Sequence, residues 1–257
     1  LLLLGCDEDL APGGKKVLTK ASRADMILLA KLDFVNRRIS GVSVARDIRS
    51  QLPNDRAHKI NAYHRLAPLG QGGEMTKRAV EHLLRNDVQI DRVIELDYEA
   101  FMAFIDLIHG VKVSTPIDLH YVDRAGGLYI DIPKGTHLLN GYDAMGYVRI
   151  RKNAGDDYMR QERQRQLLLA VKDQLRVHWT LMPQIIDAGA RVLGDSVTPP
   201  ELAALATFAK TVPKESVKLG QLPTRQGRGS FLELDLKKSR KELVKLGFLE
   251  SKLAVRD

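Results

Sequence analysis

Between Tyr147 and Arg165 the chain carries five arginines and a lysine: Arg149, Arg151, Lys152, Arg160, Arg163 and Arg165. Arg149 and Arg151 lie two apart. If Val148 and Ile150 face a core, as in an extended segment, both guanidiniums emerge together on the opposite side. The residues that follow read as a helix from about Tyr158 to Val177. On its wheel Leu167, Leu168, Val171 and Leu175 define an apolar face, Arg160 and Gln164 fall on that face, and Arg163 falls at its edge. An arginine aligned with a buried stripe needs an anion, because an unpaired buried charge is costly. The guanidinium fork suits phosphate oxygens, and the first turns of a helix favour negative charge. The plainer alternative is an ion-pair network of Arg160 with Asp156 or Asp157, against which inward arginines outnumber nearby carboxylates.

Positioning such residues takes regular elements. Leu1 to Leu4 is a short apolar run that ends in Gly5-Cys6-Asp7. Met26 to Leu32 is a second, preceded by Arg23-Ala24-Asp25. Arg38 to Val44 is a third, ending in Ala45-Arg46-Asp47. Three buried strands with charged tips are expected. Gly72-Gly73 opens a helix over about Glu74 to Arg85, and a second runs from Tyr98 to Ile108 with Gly110 as its stop. Val111 to Asp118 and Tyr129 to Ile132 read as strands joined by the turn Arg124-Ala125-Gly126-Gly127. After Trp179 the pattern loosens. A helix from Thr198-Pro199-Pro200 to about Lys210, a closing strand within Ser230 to Asp235, and a Lys- and Leu-rich tail complete the chain. Alternating strands and helices imply an α/β fold, an αβα sandwich with a central mixed sheet flanked by helices plus a small β-hairpin. With no internal repeat and no low-complexity linker, residues 1–257 read as one domain.

Hydrophobic residues at 44% and charged residues at 28% describe an ordinary globular chain and exclude disorder. The net charge of +8 favours polyanionic partners without choosing among them. The single cysteine, Cys6, excludes an internal disulfide. Leu3-Leu4-Gly5-Cys6 looks faintly like a lipoprotein cleavage box, but no charged or hydrophobic segment precedes it, and a small thiol ending a buried strand is the plainer reading. No run of about 18 apolar residues spans a membrane. The chain starts without an initiator Met, as a piece of a longer protein does. Its seven histidines show no zinc-ligand spacing, and neither a phosphate-binding Gly-Lys-Ser/Thr loop nor a dinucleotide fingerprint occurs. Basic residues interleave with acids and converge on one segment, and aromatics beside them are few. That argues against nucleic acid.

The arginine stretch resembles the signature of the LytR-CpsA-Psr family: Arg-x-Arg, a short loop, then Asp-x-x-Arg-x-x-Arg-Gln, here Arg149, Arg151, Asp157, Arg160, Arg163 and Gln164. The family's other motifs follow in order. Leu3 to Asp7 resembles the opening strand with its Asp. Arg23 to Ile27 and Val42 to Asp47 resemble the next two, Lys59-Ile60-Asn61-Ala62-Tyr63 matches almost letter for letter, and Gly72-Gly73 comes after. The likeness covers about residues 2–177, with 178–257 as a C-terminal extension. Ala24 stands where a small hydroxyl residue is usual and Ala45 where proline is usual.

The resemblance implies a phosphotransferase that moves a glycopolymer, such as teichoic acid or capsule, from a polyprenyl-pyrophosphate carrier to a peptidoglycan hydroxyl and releases polyprenyl phosphate. It places the domain at the outer face of a bacterial membrane, on an N-terminal anchor helix lying before Leu1. Arg46, Arg149, Arg151 and Arg160 would clamp the pyrophosphate, with Lys59, Arg163 and Gln164 also contacting it. Asp7 and Asp25 would hold Mg²⁺, for which Mn²⁺ can substitute. Either Asp157 or Asp47 would act as general base. Asn61 would orient the Lys59 loop, and apolar residues of the helices at 74–85 and 98–108 would wall the lipid tail. The same clamp would serve a pyrophosphate hydrolase with water as acceptor, or a lipid-pyrophosphate-binding regulatory protein.

Overall fold

A computed structural model describes residues 1–6, 22–123, 128–150, 157–193 and 197–250, with the backbone alone at 97, 123, 128, 157–161 and 191–193. Two compact units appear, the first made of residues 1–97 and 215–257, the second of 98–214.

The first unit contains strands β1 (Leu2–Cys6), β2 (Ala24–Asp33), β3 (Arg38–Ser43), β4 (Arg49–Ser50) and β5 (His58–Lys59). Helices α1 (Ala62–Leu66) and α2 (Gly72–Leu83) and strand β6 (Val93–Asp97) follow. The second unit has helix α3 (Tyr98–Leu107), strands β7 (Val111–Thr115), β8 (Leu119–Asp123), β9 (Leu128–Ile132) and β10 (Gly135–Leu139), and helices α4 (Gly141–Arg149), α5 (Asp157–Val177), α6 (Met182–Leu193) and α7 (Pro199–Thr211). The chain then returns to the first unit as β11 (Val217–Gln221), β12 (Thr224–Gln226), β13 (Leu232–Leu234) and α8 (Leu236–Lys245).

The expected α/β class is what the chain adopts. Its central sheet has the order β11-β3-β2-β1-β6 and is mixed, with β1 antiparallel to β2 but parallel to β6, and β3 antiparallel to β2 but parallel to β11. The three expected strands are its middle. Leu2, Leu4, Ile27, Leu29 and Val42 are buried in one apolar cluster with Ala79 and Val80 of α2 and Leu243 of α8. Because β2 runs against its neighbours, its first residues lie at the same sheet edge as the carboxyl ends of β1, β3, β6 and β11. In open α/β sheets that edge is where ligands bind.

Helices α2, α3 and α5 stand close to their expected bounds, and α7 begins at Pro199 behind a Thr198–Glu201 capping box. Three expectations need correction. Residues 111–118 are not one strand. β7 stops before Pro116, which has no N–H to continue a ladder, and Thr115 Oγ1 donates to the Ile117 carbonyl at 2.7 Å. A new strand, β8, pairs with β9 in the small hairpin, while β7 pairs with β10. The turn residues 124–127 lie outside the described residues. Second, Tyr147 to Arg149 are helical, not extended. Asn140 caps α4 by accepting from the Asp143 N–H at 2.9 Å, and Ala144, Met145 and Tyr147 are its buried face. The loosened pattern after Trp179 conceals α6. The tail is helical over α8, and the closing strand is β13, paired with β12.

Candidate functional site

In the first unit, residues from three separate sequence motifs meet at the charged sheet edge. Asp25 stands near the start of β2. Arg46 Nη1 donates to Asp25 Oδ2 at 2.5 Å, and Asn61 Nδ2 donates to Asp25 Oδ1 at 3.0 Å. Asp47 accepts from Lys59 Nζ at 2.8 Å and stands 3.6 Å from Arg46 Nε. Arg46 Nε is buried with no hydrogen-bond acceptor among the described residues, so one donor of the fork is left over.

Backbone contacts fix this arrangement. The Asn61 N–H donates to the Arg46 carbonyl at 3.2 Å, Ile60 N–H to the Ile48 carbonyl at 2.8 Å, and Val44 N–H to the Ile27 carbonyl at 2.9 Å. Ile48 and Ile60 are fully buried beneath and pin the loop after β3 to the β4–β5 hairpin. The charged heads stay partly open, with side-chain exposure of 32% for Arg46, 31% for Lys59 and 18% for Asp25. Such a cluster presents cations held in place by carboxylates at an accessible edge. That geometry can receive an oxyanion without reorganising.

Asp25 also bears on the divalent cation implied by the family resemblance. Each of its oxygens accepts one hydrogen bond from the described residues, and hard carboxylate oxygens are the donors Mg²⁺ takes. The expected second ligand, Asp7, lies outside the described residues.

In the second unit Arg149 ends α4, where the helix dipole favours a cation. Its guanidinium carbon lies 4.4 Å from the centre of the Tyr98 ring, and Nη1 approaches Met145 Sδ at 3.5 Å. Among the described residues no carboxylate pairs with it, and this half-buried cation rests on a π face. Tyr98 gave no signal in the sequence, because its contact with Arg149 crosses 51 positions.

Arg163 is the residue expected at the edge of the α5 apolar face. It is instead only 4% exposed, and its Nη2 donates to the Ile150 carbonyl at 2.8 Å. Counting Leu168 in the stripe caused the error: Leu168 is exposed, while Arg163, Leu167 and Ala170 form the buried line. Near it, Tyr147 donates to Gln166 Oε1 at 2.8 Å, and burial pushes the Tyr147 hydroxyl up to about 12, against the pull of Arg163. Gln164 is half-buried. Asp157 and Arg160 lie on the first turn of α5, with side chains outside the described residues, as is all of Arg151.

A further cluster in the first unit went unread. His64 Nε2 lies 2.9 Å from Glu95 Oε2 and 3.3 Å from Cys6 Sγ, and His64 Nδ1 lies 2.8 Å from the Ser22 carbonyl. Burial pulls the imidazole pKa down, but Cys6, Glu95 and the Ser22 carbonyl outweigh it and push it up to about 10. Cys6 is buried, in keeping with a thiol that ends a buried strand.

The model of the LytR_cpsA_psr family matches residues 1–244. Regulatory protein MsrR of Staphylococcus aureus (strain COL) is 30% identical over 175 residues, covering 68% of this chain and 48% of that protein. The polyisoprenyl-teichoic acid–peptidoglycan teichoic acid transferase TagV of Bacillus subtilis (strain 168) is 32% identical over 183 residues, covering 68% of this chain and 43% of TagV. The crystal structure of B. subtilis TagV aligns with a TM-score of 0.71 at 26% identity, covering 95% of this chain and 96% of that one. The aligned segment thus spans under half the length of these curated relatives.

Proposed function

Because the chain belongs to the LytR_cpsA_psr family, we propose that it is the catalytic domain of a phosphotransferase that attaches a glycopolymer to peptidoglycan. The substrate is a glycan on a polyprenyl pyrophosphate. A peptidoglycan hydroxyl attacks the glycan-linked phosphorus, the bond from that phosphorus to the bridging oxygen breaks, and polyprenyl phosphate leaves with a phosphodiester as product. Support comes from TagV, whose name describes transfer of teichoic acid to peptidoglycan from a polyisoprenyl-linked donor.

The observation that carries this reading is the convergence of Asp25, Arg46, Asp47, Lys59 and Asn61 into one hydrogen-bonded cluster at the carboxyl edge of the sheet. Phosphoryl transfer asks mainly for positioning and charge neutralisation. Arg46 and Lys59 supply fixed positive charge to the pyrophosphate, joined by Arg149, Arg151 and Arg160, with Arg163 and Gln164 at the same anion. Asp25 and Asp7 would hold Mg²⁺ or Mn²⁺, which when bound neutralises pyrophosphate charge. Asp47, occupied with Lys59 and Arg46, reads as their positioner. The proton of the attacking hydroxyl goes to Asp157. Among the described residues no helix is long and apolar enough to cross a membrane. The domain works at the outer face of the cell membrane, where carrier and peptidoglycan meet.

The test is turnover of a short polyprenyl-pyrophosphate glycan by the wild type and by Arg149→Ala, with and without Mg²⁺. Metal-dependent release of polyprenyl phosphate that is lost in the variant is expected. Adding peptidoglycan should convert the phosphorylated glycan into a conjugate, whereas free phosphorylated glycan alone would mean hydrolysis. A wild type that neither binds nor consumes the lipid overturns the reading.

A further inference from the structure

Among the described residues one group brings together three different metal-ligating atoms: Cys6 Sγ, His64 Nε2 and a Glu95 carboxylate oxygen, all within 4.8 Å of one another. It shares no residue with the Asp25–Arg46 cluster.

How the atoms converge limits what they can do. A nucleophile–base–orienter arrangement puts the imidazole in the middle, with the thiol on one ring nitrogen and the carboxylate on the other. Here thiol and carboxylate both address Nε2, at 3.3 and 2.9 Å. Nδ1 is engaged separately by the Ser22 carbonyl at 2.8 Å. A ring nitrogen carries one hydrogen or one lone pair, so it can bond fully to only one of the two groups aimed at it. A cation at that point would serve all three donors at once. The Nδ1–H bond to a backbone carbonyl is the outer contact that fixes the tautomer of a metal-bound histidine.

The scaffold holds these donors in register. Glu95 of β6 pairs with Leu4 of the parallel strand β1, and Cys6 lies two residues beyond Leu4, so Cys6 and Glu95 share one face of the sheet. His64, on α1, is 8% exposed. The first turn of α2 closes over the group only because Gly72 and Gly73 lack side chains. A methyl at Gly72 would stand 2.8 Å from the His64 ring, and one at Gly73 would collide with the Glu95 carboxylate. The glycine pair is thereby explained by the cluster it covers.

We propose that Cys6, His64 and Glu95 form a binding site for a zinc-class divalent cation, with three protein ligands and a fourth position open to solvent beside the 42%-exposed Glu95. Thiolate and imidazole select zinc over magnesium, and three ligands plus one open position is a regular zinc arrangement. Zinc bonds of about 2.3 Å to sulfur and about 2.0 Å to nitrogen at tetrahedral angles put those donors about 3.5 Å apart. The 3.3 Å separation of Cys6 and His64 is close to that, and Glu95 needs only a small outward shift of a half-exposed side chain. The bound ion would tie β1, β6 and α1 together, and its binding energy would add to folding.

Cys6 is the chain's only cysteine, which makes the test specific. Chelator-treated protein is titrated with Co²⁺, and thiolate-to-cobalt charge-transfer absorption is recorded. The expected result is a saturable one-to-one band displaced by Zn²⁺. It should disappear in the near-isosteric Cys6→Ser, weaken by at least about tenfold in affinity in His64→Gln and Glu95→Gln, and persist in Asp25→Asn. No thiolate–cobalt band in folded wild type would overturn the proposal, as would a band unchanged in both His64→Gln and Glu95→Gln.

Discussion

The strand-tip cluster of the first unit and the arginine-bearing helices of the second hold cations by opposite means. Arg46 and Lys59 are each fastened to a carboxylate, Asp25 or Asp47. Arg149 lies on the Tyr98 ring and Arg163 donates to a backbone carbonyl. Carboxylate pairing fixes a cation but cancels much of its field. A π face or a carbonyl positions a guanidinium without adding a formal opposing charge of its own. The first region is therefore suited to setting geometry, and the second to supplying net charge.

The sharpest way to break that contrast is Arg149→Ala. If Arg149 meets the developing phosphate charge as proposed, its removal should cost about 10²- to 10³-fold in turnover, by analogy with a lost oxyanion donor. Its stacking on Tyr98 is worth only about 0.5–1 kcal/mol, so urea unfolding should barely move. A variant that unfolds easily yet retains specific activity would reverse the assignment.

Next in size is Arg163→Met. The residue is 4% exposed, and its loss strands the carbonyl of the fully buried Ile150, a cost of about 1–3 kcal/mol in unfolding free energy. If Arg163 also binds pyrophosphate, turnover per folded molecule falls along with stability. If it only ties α5 to the end of α4, turnover per folded molecule stays near the wild type.

The two regions also differed in how far the sequence disclosed them. In the first, apolar runs ending in charged dipeptides announced β1, β2 and β3 and put Asp25 and Arg46-Asp47 at their tips, because strand alternation and burial are local properties. In the second, the two-residue spacing of Arg149 and Arg151 beside Val148 and Ile150 suggested an alternating, extended segment. The Asn140 cap and the burial of Ala144, Met145 and Tyr147 make it a helix through Arg149. Leu168 likewise misled the phase of α5, since one exposed leucine turns a wheel away from Arg163. Pairings between distant segments were beyond local reading altogether. Tyr98 beneath Arg149, β11 against β3, and Cys6 with His64 58 positions away all arise from topology. The absence of a zinc-type spacing among the histidines therefore said little about donors drawn from different elements, two strands and a helix.

His64 extends the first region's habit of pairing cations with acids, and pH tests it. Its pKa is raised from 6.5 to about 10, so the imidazolium binds its proton more tightly in the folded chain. That contribution to stability is complete below pH 6.5, shrinks as pH rises toward 10, and is gone above it. Urea unfolding of metal-free protein should show stability declining across that window. His64→Gln, which removes the imidazole, should lack most of the decline. Equal slopes in the two proteins would mean that the imidazole is not held as a cation.

The smallest expected effect is the most discriminating for the strand tips. A double-mutant cycle of Asp25→Asn and Arg46→Gln isolates the coupling of one ion pair. Both side chains are partly exposed, at 18% and 32%, so water and salt screen them, and the coupling should not exceed about 1 kcal/mol in unfolding free energy. Turnover should behave differently. If Asp25 mainly aims the Arg46 fork, removing either partner disables the same function, and the double variant should be hardly slower than the worse single one. If each contacts substrate or cation independently, the losses multiply. A large stability coupling would instead make this pair a folding element, and the division between geometry-setting and charge-supplying regions would have to be redrawn.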